Sequence, residues 1–325
     1  MVTDQRVAPE VSTMSANDAG RAFPLRRIIA NQKVRDTLRA LIYFSPALII
    51  FALFTYIPFF RALFLSLNVT DNAGEPARFN GLNYYIRILG LDGRPQYMQS
   101  MLLSFQFALM VVPLSIVFGL GLAMLASVRL RFIHAFRTIF TSSISVSLAS
   151  ASVIWVLIFS PATKTTQWII DLLRINAPSL LGSASTAMAA VALVTIWSGL
   201  GFNFIITLAG VQAIPQDLYE SASIDGASGW SSFRWITLPL LSPTLLFLAV
   251  VNTIGSLQAF TQFQVLFRGE GPEGATNVYT LLNFKEFWYD NRYGFASAMA
   301  IVLFVVLLLL TLFQYGVLNR RVHYS

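Results

Sequence analysis

The fold class that this sequence predicts is an all-α integral membrane protein with six spans, and three observations predict it. Hydrophobic residues make up 56% of the 325-residue chain and charged residues only 11%; a soluble chain carries roughly twice that share of charge. Mean hydropathy is +0.65. The charges are also segregated, leaving uncharged runs over Ala40–Phe60, Pro95–Val128, Thr138–Thr163, Ile175–Gln216, Trp235–Phe267 and Tyr293–Asn319. Each run reaches the ~20 residues that a helix needs to cross the ~30 Å hydrocarbon core of a bilayer.

Composition also excludes chemistry. The chain has no cysteine, hence no disulfide framework, thiolate nucleophile or cysteine-based metal site. His134 and His323 are far apart and near span ends, where an interfacial role explains them better than metal ligation. The net charge of +7 is spread around the spans; anionic lipid headgroups account for it, and no nucleic-acid partner is implied.

Residues 1–36 are polar, lack the apolar core of a signal peptide, and read as a disordered cytoplasmic tail. Lys33, Arg35 and Arg39 precede the first span, Arg129, Arg131 and Arg137 follow the second, and Arg320 and Arg321 follow the sixth. Those clusters favour cytoplasmic termini. The span region covers 37–318, and 319–325 form a second cytoplasmic tail.

Span one is expected at 40–66, interrupted by Pro46 and Pro58. An outer loop at 68–98 follows, with turn signals in Phe79–Tyr85. Span two, 100–126, carries Gly119-Leu120-Gly121, small residues that permit close helix approach. Span three, 138–159, has a serine-rich first half whose hydroxyls suit carbonyls one turn back and tight packing; a polar pore lining is the sharper alternative. An outer connection at 160–185 includes an amphipathic piece from Trp168 to Leu173. Span four is expected at 186–210, span five at 241–262 and span six at 294–316. The outer loop at 264–292 contains the turn cluster Gly269–Gly274.

Between spans four and five lies a polar connector, 211–239. Pro215 suits a first helical turn, Asp217 and Glu220 lie where the helix dipole favours acids, and Gly226 can take the left-handed cap. Trp230, Phe233 and Ile236 or Thr237 then recur at helical spacing. Two short helices at a bend, presenting Trp230 and Phe233 on one side, fit a docking device or aromatics lying in the headgroup layer.

The connector resembles the signature loop of permease subunits in carbohydrate-type binding-protein-dependent ABC importers, the maltose and glycerol-3-phosphate systems among them. That family carries Glu-Ala-Ala, three residues, Gly, nine residues, Ile-x-Leu-Pro. Here Glu220-Ser221-Ala222, Gly226 and Ile236-Thr237-Leu238-Pro239 fall at the same spacings, with Ser221 the one departure, and Asp225-Gly226-Ala227 is a form the family also uses. Phe79–Tyr85, Trp197–Asn203, Gly271-Pro272 with Thr276, and Tyr293–Ala298 are similar to the family as well.

The resemblance implies the type I ABC importer permease fold, in a bacterial inner membrane. It also implies four kinds of partner: a second homologous permease, two ATPase subunits, an extracytoplasmic solute-binding protein and a sugar-like solute. Glu220, Ala222, Asp225, Gly226, Ala227, Trp230 and Phe233 would then dock on an ATPase. The sequence has no Gly-x-x-x-x-Gly-Lys-Ser/Thr phosphate loop and no catalytic constellation. The chain is accordingly expected to bind no cofactor and catalyse nothing, while ATP and Mg are used by the ATPases.

Intramembrane polar residues are the remaining functional hint. Asn203 lies on span four. Asn252 and Ser256 are one turn apart on span five, as are Gln258 and Gln262. Amides and hydroxyls can exchange hydrogen bonds with sugar hydroxyls without burying a charge, and Phe260 or Phe263 can offer a stacking surface. Bonding to neighbouring helices is the plainer role for any one of them. Three other readings are an importer of glycerol 3-phosphate or an anionic oligosaccharide, an ion-coupled secondary carrier and a membrane enzyme. The carrier would call for intramembrane acids, which the six runs lack.

Overall fold

The computed structural model describes residues 32–127, 132–160, 168 and 180–318. Of the expected tails, 1–31 and 319–325 lie outside the described residues. So do Arg129, Arg131 and, Trp168 apart, the amphipathic piece running to Leu173. The chain falls into two units, Met1–Arg61 and Ala62–Ser325.

In the first unit, α1 (Gln32–Phe51) begins inside the segment expected to be tail. It passes through a wider π-type turn at Ala52–Tyr56 into α2 (Ile57–Ser66), whose last residues belong to the second unit. The π-type turn sits just ahead of Pro58, where the missing N–H and the ring relax the regular ladder. Tyr43, Phe44 and Phe54 are exposed along this helix, as suits a surface facing lipid.

The second unit is built on four long helices. Helix α4 (Gln96–Ser127) packs along α7 (Ala184–Gln212), and α11 (Ser242–Leu257) lies against both and against α14 (Tyr293–Leu318). Gly119 faces Asn203 so closely that a Cβ there would lie 2.7 Å from the Asn203 Cβ, whereas Gly121 faces open space. Only one of the two small residues therefore serves helix approach. The apolar core has two main parts: Phe107, Val191 and Phe263 with their neighbours, and Tyr97, Tyr279, Phe295 and Met299 with theirs.

Among the described residues four helices are long and apolar enough to span, and the total is six when each of two bent helix pairs is taken as one span. Span three is one of the pairs, which corrects the expected continuous helix over 138–159. Helix α5 (Ile133–Thr141) and a tight turn at Ser142–Ser145 meet α6 (Leu148–Phe159) at 103°. The serines explain the break. Ser147 adopts an extended backbone and caps α6, its Oγ accepting from Ser150 N, which competes with continued helix. Ser143 Oγ accepts from the backbone N–H of Gly201 at 2.8 Å, pinning the bend to α7. Ser142 and Ser152 donate back to carbonyls of their own helices.

The expected outer loops at 68–98 and 264–292 hold regular structure. Between spans one and two, β1 (Asn68–Thr70) pairs antiparallel with β2 (Pro76–Phe79), and α3 (Asn83–Ile88) packs on α14. Gly294 N donates to Thr70 Oγ1, seating the hairpin on the start of span six. Between spans five and six lie α12 (Thr261–Phe267) and α13 (Tyr279–Trp288). The buried Glu286 carboxylate of α13 accepts from Tyr97 Oη at 2.7 Å and pairs with Arg292 at 3.2 Å. Both of its oxygens are occupied, so it is a brace between helix ends.

Candidate functional site: the connector and an uncharged cleft

Two features occupy opposite ends of α11. At its start lies the connector: α8 (Gln216–Ile224), α9 (Gly229–Ser232), a π-type turn at Phe233–Thr237 and α10 (Leu238–Leu240). The stretch Gly229–Leu240 as a whole meets α11 at 64°. Pro215 precedes α8, and Asp217 sits in its first turn. Gly226 has φ +79° with nothing within 4 Å of a would-be Cβ, so backbone conformation alone demands glycine there. Ala227 N reaches back to Ala222 O at 2.9 Å and closes the cap. Ser228 Oγ accepts from Ser231 N and starts the second helix.

Glu220, Asp225, Gly226 and Trp230 are exposed, while Ala222, Ala227 and Phe233 are half-buried. Trp230 stacks on Phe233 with centroids 5.4 Å apart, the shared aromatic face expected from their spacing. The sequence reading passed over Ile224 and Trp235, which are 86% and 75% exposed beside Trp230 at 73%. Three large apolar side chains are thus exposed on an otherwise polar segment. The sequence does not single out Tyr219, and it marks Thr237 only by helical spacing and its place in the Ile-x-Leu-Pro stretch. Their hydroxyls meet at 2.9 Å and tie α8 to the second half of the connector, with Thr237 buried. Two polar residues far apart in the chain give no periodic signal.

Toward the far end of α11 lies a cleft of ≈ 360 Å³. Asn252, Ser256, Gln258, Phe260 and Gln262 line it, together with Ser115, Thr195 and Ser198. No charged side chain contributes among the described residues. Five of the six residues expected to meet solute therefore come together. The sixth, Asn203, is fully buried beside them: Asn252 Nδ2 donates to Asn203 Oδ1 at 2.7 Å, and Asn203 Nδ2 returns a bond at 3.4 Å. Asn203 thus positions Asn252. Gln262 Nε2 donates to Thr195 Oγ1 at 3.2 Å, while its buried Oε1 has no donor.

Span five also needs correction. It was expected to run to 262, but α11 ends at Leu257, and Gln262 belongs to the separate α12. Gln258 caps the helix, and the carbonyl freed at Ala259 accepts from the Thr280 hydroxyl of α13. Gln258 and Gln262 are therefore not one helical turn apart. Phe263 does not face the cleft either; it is buried edge-on against Phe107 at 4.8 Å. Ser115, Thr195 and Ser198 escaped the sequence reading because hydroxyls in spans usually bond within their own helix.

Among the described residues no group of His, Asp and Glu could hold a metal ion. The arrangement offers amides, hydroxyls and one ring, which suit hydrogen bonding to a neutral, hydroxylated molecule.

Residues 115–324 match the family model described as binding-protein-dependent transport system inner membrane component. The trehalose/maltose transport system permease protein MalF of Thermococcus litoralis is 32% identical over 86% of this chain and 93% of its own. The sn-glycerol-3-phosphate transport system permease protein UgpA of Agrobacterium fabrum is 32% identical over 86% and 94%. A chain in the crystal structure of a bacterial ABC transporter involved in the import of the acidic polysaccharide alginate superposes with TM-score 0.73. It is 23% identical, over 88% of this chain and 98% of that one, and shows the likeness of fold alone.

Proposed function

The chain belongs to the family of binding-protein-dependent transport system inner membrane components, and on that premise we propose that it is one of two permeases enclosing the path of a sugar or related hydroxylated solute. The fold is the six-span type I importer permease fold. In this reading two ATPase subunits grip the connectors, and an extracytoplasmic binding protein delivers solute to the opposite face. Both termini then lie in the cytoplasm. The chain itself binds no nucleotide and catalyses nothing; ATP and Mg act in the ATPases.

One observation carries the reading. A single helix, α11, has the exposed aromatic connector at its start and the uncharged amide-lined cleft near its end. Motion imposed on Trp230 and Phe233 is transmitted through the 64° bend to Asn252 and Ser256. Rigid-body movement of packed helices between discrete arrangements is the known route for such coupling. Solute is held by Asn252, Ser256, Gln258 and Gln262 with Phe260 as the apolar surface.

The test is reconstitution with both permeases, the ATPase and the binding protein. Deleting Glu220–Gly226 is expected to abolish ATPase co-purification, and Gln262→Ala to lower solute uptake while the ATPase stays bound. Uptake that persists without any ATPase partner refutes the proposal.

A further inference from the structure

A second cavity, of ≈ 190 Å³, lies between the end of α12 and α13, at the opposite end of α11 from the connector. Arg268, Glu270, Asn277, Phe284, Lys285 and Tyr289 are among its lining. It adjoins the main cleft. Phe260 lines one and Phe284 the other, and their rings are 4.7 Å apart. Helix α12 likewise gives Gln262 to the cleft and Gln264, two positions on, to the cavity.

The charges there do not cancel. Lys285 Nζ is 2.9 Å from Glu270 Oε1, and that hydrogen bond holds the ammonium above its ordinary pKa, so this pair is neutral as a unit. Arg268 remains; it is exposed at the cavity's edge, and among the described residues its guanidinium makes no hydrogen bond or ion pair. Its backbone is left-handed, φ 52° and ψ 24°, at the C-cap of α12. Glycine or asparagine normally fills such a cap, and Gly269 follows directly. An arginine kept in this disfavoured conformation places its side chain where glycine would place none. Asn277 Oδ1 is buried without a donor, an arrangement that native proteins seldom leave unfilled.

The lining therefore holds one cation without a protein partner and, on Asn277, one buried acceptor that no protein donor meets. At ≈ 190 Å³ it is smaller than the roughly 300–1,000 Å³ of a complete ligand site. It has room for one charged unit, not an oligomer.

Resting on the importer reading, we propose that this cavity is a reception subsite for the anionic unit of a hydroxylated solute. Arg268 takes the carboxylate or phosphate, Asn277 Oδ1 accepts from a hydroxyl, and the Phe260–Phe284 pair separates this subsite from the cleft. The cleft itself, without charge, then handles the hydroxylated remainder.

Saturation-transfer NMR on the assembled transporter in nanodiscs tests this with glucuronate, glycerol 3-phosphate and glucose as probes. At least one anion is expected to bind roughly tenfold or more tightly than glucose, since hydrogen bonds to charged groups outweigh neutral ones by about that factor. Which anion binds decides between carboxylate and phosphate. Arg268→Gln is expected to remove the preference, Arg268→Lys to restore part of it, and Asn277→Leu to weaken the anion that binds. Equal binding of anions and glucose, or a preference unchanged in Arg268→Gln, overturns the proposal. ATPase co-purification from the same preparations reads the connector, so failure of the subsite and failure of the importer reading give different results.

Discussion

Replacing Tyr219 with phenylalanine removes one oxygen and nothing else, at the point where the connector's two halves are tied together. The hydroxyl it loses lies 2.9 Å from Thr237 Oγ1, and Thr237 keeps only a long contact to Ser232 O at 3.4 Å. A neutral side-chain hydrogen bond is worth about 0.5–1.5 kcal/mol net, so the population with α8 detached should rise roughly 2- to 13-fold. Arg234 is the one basic residue within 211–239 and is exposed, which makes trypsin a direct probe. Where opening and closing are fast, cleavage follows the open population, and the cut at Arg234 should quicken by the same factor. Thr237→Val should do likewise, and the double variant should be no faster than the larger single effect, because both remove the same bond. In the reconstituted transporter, solute moved per ATP should fall while the ATPase stays bound. Unchanged cleavage in Tyr219→Phe, or additive effects in the double variant, would show that the hydroxyl pair does not hold the connector together.

Gly119→Ala should lower the thermal stability of the purified permease by about 1–3 kcal/mol through overpacking, since its Cβ would meet Asn203 at 2.7 Å; Gly121→Ala, in open space, should be silent. Calorimetry or a thermal-shift assay on the pair checks this contrast. A cycle of Asn203→Leu and Asn252→Leu should give a coupling of about 0.6–1.7 kcal/mol, the range seen between membrane helices. Additive losses would mean that the two amides act separately. Phe263→Ala should destabilise by about 3–5 kcal/mol as a core cavity, whereas Phe260→Ala should alter uptake kinetics with a smaller loss of stability. The opposite ranking would exchange their roles.

Much of the connector was legible because its signals are local. Gly226 ends a helix through its own backbone, and Trp230 and Phe233 share a face by spacing alone. Residues whose role lies in a partner distant in the chain were not legible. Nothing near Tyr219 points to Thr237, and nothing near Ser143 points to the Gly201 amide. Phe260 and Phe263 look alike in sequence, yet a turn of a few residues sends one to the cleft and the other into the core. Asn203 and Asn252 were recognisable as polar residues in apolar helices, but not as partners of each other.

Hydrophobicity over each run of about 20 residues determined the bilayer class and the number of spans, because crossing hydrocarbon requires apolar length and an internally bonded backbone. The tertiary structure decided where those spans break. A helix stops inside an apolar run only when other groups take its freed carbonyls and amides, as Thr280 does for Ala259 and Ser147 does for α6. In one of these cases the rescuing group comes from a different helix, so no property of the run itself foretells it.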